Sequence, residues 1–320
     1  MPSEFLSVFR SEIAHHGVVP FDRFVELALY DPRCGYYRTN RKRIGRERGT
    51  DFFTATSSGP LFGELIAAAC TNLIGKRDPG EFVFVEIGAE ATGGVMAGVK
   101  HPFAQTETRS LGDSLKLEGK CVVFSNELFD AQPFRRFLAR DGRWHEVGVT
   151  FAGDSLAEVN LGPIEASWLP ASPEDGSRFD APRAAVELLR TLTAQPWEGL
   201  FVACDYGKSF RELAEATPGG TARAYWKHAQ VNDLLARPGD QDLTVHVCWD
   251  WLEEGLREQR FSETVIESQE SFFVRRAGNF IEASLAGDPG SHGALRRSLV
   301  QLIHPAHLGQ KFQVLHATRW

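Results

Sequence analysis

The chain has 320 residues, of which 42% are hydrophobic and 24% charged, a composition that supports a sizeable core and excludes wholesale disorder. The formal net charge of -7 argues against a protein that coats nucleic acid, and no apolar run approaches the ~20 residues of a membrane span. Five cysteines without a CxxC pair favour a reducing compartment over a disulfide framework.

The first 30 residues predict two amphipathic helices. Phe5, Phe9 and Ile13 recur at helical spacing, and a second apolar face runs over 21–29 until Pro32 follows. Residues 38–48 are strongly basic and predict a solvated loop, whereas the apolar stretch after Pro60 predicts a buried helix. The start lacks both a secretory signal and an Arg/Ser-rich leader. We therefore expect a cytoplasmic protein rather than a mitochondrial one.

Three apolar runs predict the central strands of a parallel sheet. They span 81–87, 121–124 and 200–204, and each is apolar on both faces, as expected for strands that helices cover on both sides. Ligands of open α/β sheets bind beyond the carboxyl ends of the strands. The polar residues at these ends therefore form a candidate site: Glu86, Asn126, Glu127, Asp205 and Tyr206.

Other segments predict the surrounding elements. An Asp141-Gly142 turn within 137–151 predicts a β-hairpin, residues 163–182 a loop, and residues 184–193 a helix. Near the end, two strands at 261–266 and 311–316 are predicted to be joined by a helix over 291–303. We divide the chain into a helical cap and lid region, residues 1–80, and an α/β domain with insertions, residues 81–320.

A glycine-rich turn, Gly88 to Gly94 (GAEATGG), follows the first strand. Glycines at this place let a ligand approach the backbone closely. Glu90 and Ala91 stand where tight glycines would be wanted, so a simple strand–turn–helix connection is an equal interpretation of the turn alone.

Polar and apolar blocks along nearly the whole chain occur in the order of one known family. The chain resembles the MidA-type methyltransferases, whose mitochondrial members are complex I assembly arginine methyltransferases. The blocks that carry the resemblance are 24–32 with Gly35-Tyr36-Tyr37, 51–54, 60–64, 86–88, 126–131 with Pro133, 205–207, Gly220-Thr221 with Arg223, Tyr225 and His228, Pro238-Gly239 with 241–244 and His246-Val247, and Leu308-Gly309 with Phe312, Val314 and Leu315.

The resemblance implies a Rossmann-like class I methyltransferase fold, with an N-terminal helical segment and inserted and C-terminal elements, that uses S-adenosyl-L-methionine. Glu107 would hold the ribose hydroxyls and Asp113 the adenine amino group, although both residues also fit surface turns or a poorly marked strand. The full set of expected cofactor-binding residues is Thr54, Glu86, Gly88, Gly93, Glu107, Asp113 and Asn126.

For the mitochondrial relatives, the implied substrate is an arginine of a respiratory complex I subunit. Since a guanidinium is almost always protonated, its methylation calls for carboxylates that orient it and accept a proton. Glu127 and Asp130 are the candidates, with Asn126 positioning donor or acceptor. Both acids could instead cap the next helix. The wider pocket is assigned to Asp205, Tyr206, His228 and His246, of which the last equally fits a core histidine.

Departures from the family pattern leave a second function open. The family turn is GPGxGTL-like, whereas this chain has GAEATGG, and the stretch from Gly88 to Cys121 is short. The first hypothesis is a protein methyltransferase; the alternative is a catalytically degenerate relative that binds a partner protein through the same cleft. A protein partner is expected in both cases, without a metal, a membrane or nucleic acid, and the oligomeric state stays open.

Overall fold

The structure, a computed structural model, describes residues 3–14, 17–38, 59–89, 93–112, 115–286 and 292–320. The described helices are α1 (Ser3–Ile13), α2 (Phe21–Tyr30), α3 (Pro60–Ile74), α4 (Arg183–Thr193), α5 (Phe210–Glu215), α6 (Trp249–Glu258), α7 (Gln269–Arg276), α8 (Gly278–Ala286) and α9 (His292–Ile303). No helix in these ranges is long and apolar enough to cross a membrane.

The strands of the same ranges are mostly short. They are β1 (Val19–Pro20), β2 (Val83–Ile87), β3 (Gln105–Arg109), β4 (Gly119–Asn126), β5 (Arg135–Arg140), β6 (Arg143–Ala152), β7 (Ser155–Pro163), β8 (Arg178–Ala181), β9 (Trp197–Asp205), β10 (Gly207–Lys208), β11 (Arg223–Trp226), β12 (Ala229–Val231), β13 (Asp242–Thr244), β14 (Val247–Cys248), β15 (Ser262–Ser268) and β16 (Gln313–Arg319).

Two compact units interleave along the chain. The first consists of Met1–Phe53, Phe129–Glu187 and Lys208–Asp250, and the second of Thr54–Leu128, Leu188–Gly207 and Trp251–Trp320. The sequence analysis divided the chain once, between residues 80 and 81. The units instead exchange segments because strands distant in sequence pair within each of them.

The first unit is built on antiparallel strands. One sheet has the order β1-β6-β5-β8 with β7 on β6, and a smaller one the order β12-β11-β13. The predicted hairpin is confirmed, since Arg140 pairs with Arg143 across its turn. Phe5 and Phe9 of α1 and Phe21 and Phe24 of α2 are buried in this unit's core. The helical face predicted from their spacing is therefore the buried face.

The second unit contains a six-stranded sheet of order β15-β16-β9-β4-β2-β3. β3, β2, β4 and β9 run parallel, and β16 and β15 are antiparallel additions. The three apolar runs of the sequence became the central strands β2, β4 and β9. The predicted α/β fold class, Rossmann-like with an N-terminal helical segment, is confirmed.

The described part of the connection from β2 to β3 contains no helix. Described residues 93–104 form turns rather than a helix, and Val95, Met96, Val99 and Phe103 are buried in the same core cluster as α3. A Cβ atom at Gly63 of α3 would collide with the Val95 carbonyl oxygen and touch a Val99 methyl group. Glycine at this helical position therefore lets the segment after the glycine-rich turn pack directly on α3.

Between β15 and β16, the sequence analysis was incomplete. It predicted one joining helix, and the structure has α7, α8 and α9 there. The predicted loop at 163–182 also contains β8, whose Asp180 is buried and ion-paired with Arg136. A charged residue in a short strand carries no apolar signal, so the pattern of the sequence did not reveal this strand.

Candidate functional site

The second unit brings polar residues together at the carboxyl edge of its parallel strands. Glu86 lies next to the end of β2, Asn126 ends β4, and Asp205 ends β9. The strand register pairs Ile87 with Ser125 and Asn126 with Cys204. These strand ends therefore lie side by side, as expected for parallel strands.

The Glu86 carboxyl is buried beside the backbone of Val95. It is 5% exposed, and its Oε2 accepts a hydrogen bond of 2.5 Å from the backbone N–H of Val95. Burial raises the pKa of Glu86 to about 7, and the bond from Val95 offsets this only in part. The carboxyl is thus poised to change charge near neutral pH, and a nearby cation would favour its ionised form.

The glycine-rich turn after β2 adopts backbone conformations that favour glycine. Gly88, Gly93 and Gly94 have φ of 79°, 108° and 76°, and the Gly88 N–H donates to the Arg109 carbonyl at 2.7 Å. A Cβ atom at Gly94 would lie 2.5 Å from Glu86 Oε2. Gly94 therefore allows the backbone to close over the carboxyl. Residues 90–92, where the family pattern is broken, lie outside the described residues.

The end of β4 carries buried acceptors. Ser125 Oγ and Asn126 Oδ1 are buried atoms with no hydrogen-bond partner among the described residues, an arrangement that favours a bound group with donors. The Asn126 amide donates to Glu127 Oε1 at 3.0 Å. Glu127 has φ of 52°, and its N–H donates to the Cys204 carbonyl at 3.0 Å. Non-glycine residues held in such conformations cluster at functional sites.

The end of β9 is more enclosed. Asp205 is completely buried, and its Oδ1 accepts a bond of 2.8 Å from the Tyr206 N–H. The Tyr206 ring lies 4.0 Å from that of Phe312, and the Gly207 N–H donates to Gln313 Oε1 at 3.1 Å. The turn after β9 is therefore anchored to β16, and Asp205 and Tyr206 lie at the same sheet edge as Asn126.

Glu107, the expected ribose partner, has polar partners on its own strand. It lies two residues before the end of the edge strand β3, and its carboxylate accepts from Gln105 and pairs with Arg109. These neighbours occupy the carboxylate within its own strand. Two other expected cofactor-binding residues, Thr54 and Asp113, lie outside the described residues.

Three of the predicted site residues belong to the first unit. Asp130 is buried, and its carbonyl accepts from the Val245 N–H at 2.9 Å. Burial, with help from Lys208 and Arg223, lowers the pKa of His246 to about 4, so this ring is neutral at pH 7. His228 is exposed and has φ of 62° in the two-residue turn between β11 and β12.

The first unit also contains a cluster of aromatic and acidic side chains around Tyr30, Tyr37 and Asp242. Of the predicted site residues, only Asp130 belongs to it. The Tyr37 hydroxyl donates to Asp242 Oδ1 at 2.9 Å, and the rings of Tyr30 and Tyr37 stack 5.5 Å apart. Burial, followed by the charge of Asp242, raises the pKa of both tyrosines. All three residues stand in blocks that carry the family resemblance, which was the available signal.

The described His, Cys, Asp and Glu side chains form no arrangement typical of a metal centre. Within the ranges that the structure describes, no group of three or more His, Cys, Asp or Glu side chains is placed to hold a metal ion.

Comparisons with known proteins agree with this architecture. A Burkholderia thailandensis crystal structure bound to S-adenosyl-homocysteine superposes with a TM-score of 0.87 and 24% identity, over 99% of this chain and 92% of that one. A second, native crystal structure from the same organism gives a TM-score of 0.81 and 22% identity, over 99% of this chain and 91% of that one. At these identities, the likeness establishes the fold.

Curated relatives match most of the sequence. The chain is 26% identical to the Drosophila melanogaster "Protein arginine methyltransferase NDUFAF7 homolog, mitochondrial", over 96% of this chain and 83% of the relative. It is 21% identical to the Danio rerio "Protein arginine methyltransferase NDUFAF7, mitochondrial", over 95% and 84%.

A family model matches residues 95–265, more than half of the chain, and its description is "Putative S-adenosyl-L-methionine-dependent methyltransferase". This match includes the ends of β4 and β9, where the buried acceptors lie. The chain therefore belongs to this family of S-adenosyl-L-methionine-dependent methyltransferases.

Proposed function

We propose that this chain transfers a methyl group from S-adenosyl-L-methionine to the side chain of an arginine in a protein. The observation that carries the proposal is the end of β4, where buried acceptor atoms that have no partner among the described residues precede a glutamate held at a left-handed φ. The names of the curated relatives support arginine as the acceptor.

The chemistry of the sheet edge fits the methyl donor of the family. S-adenosyl-L-methionine carries an ammonium group and ribose hydroxyls, which are hydrogen-bond donors, and it supplies an electrophilic methyl group. Glu86, Ser125 and Asn126 offer buried oxygen acceptors. The conformations of Gly88 and Gly93 permit the close backbone approach that such a donor needs. We assign these residues to its binding.

Glu127 is proposed to act on the acceptor. An arginine guanidinium stays protonated in proteins, so its nitrogen becomes nucleophilic only as a proton leaves. A carboxylate can orient the planar guanidinium through two parallel hydrogen bonds and accept that proton. Two hydrogen bonds hold Glu127 in position for this role. One comes from the Asn126 amide, and the other runs from the Glu127 N–H to the Cys204 carbonyl. Asp130, which belongs to the first unit, stays a prediction of the sequence for the acceptor side.

A partner-binding protein without catalysis is the alternative function. The arrangement of Glu107 favours it, because ion pairing with Arg109 and a bond from Gln105 engage the one described acid of β3. In that case, the same sheet edge would bind a protein but no methyl donor. Isothermal titration calorimetry with S-adenosyl-L-methionine separates the two. Micromolar affinity supports the enzyme, and absence of heat at millimolar donor supports the alternative.

The residue assignments are tested with tritiated donor and peptides that carry one central arginine or lysine. Label should enter only the arginine peptides and be recovered as methylarginine after hydrolysis. Glu127→Gln should lower the rate by about 10²-fold or more with donor affinity unchanged. Glu263→Gln is the matched control, since Glu263 has the same φ of 52° on β15. Labelled lysine, or normal transfer by Glu127→Gln, would contradict the proposal.

A further inference from the structure

A cleft on the surface of the second unit has no role in the proposed reaction. It has a volume of about 620 Å³ and is formed by α9 and the turn Pro305–Gly309 that follows it. The residues that line it are Gly293, Arg296, Arg297, Val300, Gln301 and His307.

The periodicity of α9 explains why these side chains face outward. Leu299 and Leu302 are buried in the core that the helix covers, so the opposite helical face is presented to solvent. Arg296 and Arg297 are exposed on that face, and Val300 is 41% exposed. The wall of the cleft thus combines two guanidinium groups with an apolar side chain.

The cleft has room for the arginine side chains that line it. Gly293 lies one turn before Arg297, and a Cβ atom there would come within 3.1 Å of Arg297 Nη1. His307, in the turn after α9, also lines the cleft. Its ring packs 5.5 Å from that of His304, whose Nδ1 accepts from the Ala306 N–H. The glycine therefore leaves room for a guanidinium, and the turn adds an imidazole to the lining.

The cleft is cationic in a protein that is acidic as a whole. No Asp or Glu is among its lining residues, and neither Arg296 nor Arg297 forms an ion pair with any residue that the structure describes. The full sequence has 42 acidic and 35 basic residues. Arginines without an acid are what carboxylate recognition requires, because their planar fork binds a carboxylate through two hydrogen bonds.

We infer that this cleft binds an acidic segment of a protein partner, with carboxylates on Arg296 and Arg297 and an apolar side chain against Val300. The open form and volume suit a short peptide segment. The two arginines are too few for a nucleic-acid site, because nucleic acids bind along an extended row of basic residues that neutralise several phosphates. Where the partner that binds in this cleft is also the protein that is methylated, this inference rests on the proposed function.

Fluorescence anisotropy of a labelled peptide tests the inference directly. The probe is a 12-residue peptide of Glu, Leu and Gly, and its counterpart has Gln at every Glu position. The Glu peptide should bind the full chain, and R296Q/R297Q should weaken binding at least tenfold. The Gln peptide should not bind measurably. No methyl donor is present, so failure of catalysis leaves this measurement unaffected, and failure of peptide binding leaves donor binding unaffected.

The control variant R211Q/R257Q removes the same charge from two other exposed arginines, each 60% exposed or more and paired with a glutamate. It should bind the Glu peptide within twofold of the wild type. Equal weakening by both double variants would reduce the effect to net charge and overturn the inference. Displacement of the peptide by equimolar inorganic phosphate or by an oligonucleotide would also overturn it, in favour of a general anion site.

Discussion

Replacing Glu86 by glutamine tests whether this buried carboxyl shapes the pH dependence of folding. Its pKa rises from 4.5 to about 7 on folding, chiefly through burial. Between these values the folded state binds more protons than the unfolded state, so the group removes stability as pH rises. At about 1.4 kcal/mol per pKa unit, the stability lost between pH 5 and pH 8 is about 2.5 kcal/mol.

Glutamine keeps an oxygen that can accept from Val95 but does not ionise. We therefore expect the free energy of unfolding of Glu86→Gln minus that of the wild type to be larger, in favour of the variant's folded state, by about 2.5 kcal/mol at pH 8 than at pH 5. A penalty for burying the new amide hydrogens is equal at both pH values and cancels in the comparison. Urea unfolding followed by tryptophan fluorescence measures the four free energies.

His246 gives the wild type an opposite trend. Its pKa falls from 6.5 to about 4 on folding, so the stability it contributes is present above 6.5 and is lost as pH falls toward 4. The histidine is common to both proteins, and the difference between variant and wild type isolates Glu86. A difference that stays constant within about 0.5 kcal/mol from pH 5 to pH 8 would refute the reasoning.

Two further variants test packing. Gly94→Ala should lose about 2–4 kcal/mol of stability, because its Cβ would press on Glu86, whereas Gly98→Ala, at a similar φ of 71° in open space, should lose about 1 kcal/mol. Asp180→Ala should cost about 3–5 kcal/mol, because it removes one of the two acids that pair with the buried Arg136 and the acceptor of the Thr221 and Ala222 N–H groups, whereas Glu215→Ala, from an exposed pair, should cost about 0–1 kcal/mol. Equal losses within either pair, measured by urea unfolding, would contradict these assignments.

Much of the second unit could be predicted from the sequence because its central strands are continuously apolar. The runs that became β2, β4 and β9 have few alternatives to burial between helices. β3 shows the limit of this reasoning. Its sequence, QTETR, is that of an exposed edge strand. Because it has no apolar pattern, neither its bounds nor its pairing with β2 could be predicted from the sequence.

The sequence predicted where the candidate site residues lie in the sheet, but not what surrounds their side chains. Glu86 lies near the end of one apolar run, and Asn126 and Asp205 follow two others, so their place at strand ends could be inferred. The burial of Asn126 Oδ1 and the left-handed φ of Glu127 depend on neighbouring strands. The role of each residue in binding or catalysis stays a prediction until the variants are measured.

The sequence by itself determined the fold class, the central parallel strands and the polar character of their ends, because these follow from local apolar patterns. Only the tertiary structure decided how the chain is divided into interleaved units, that Arg109 engages Glu107, and that Glu86 titrates near neutral pH. The physical reason is that desolvation, strand pairing and ion pairing arise from residues far apart in the chain, which come together only when it folds.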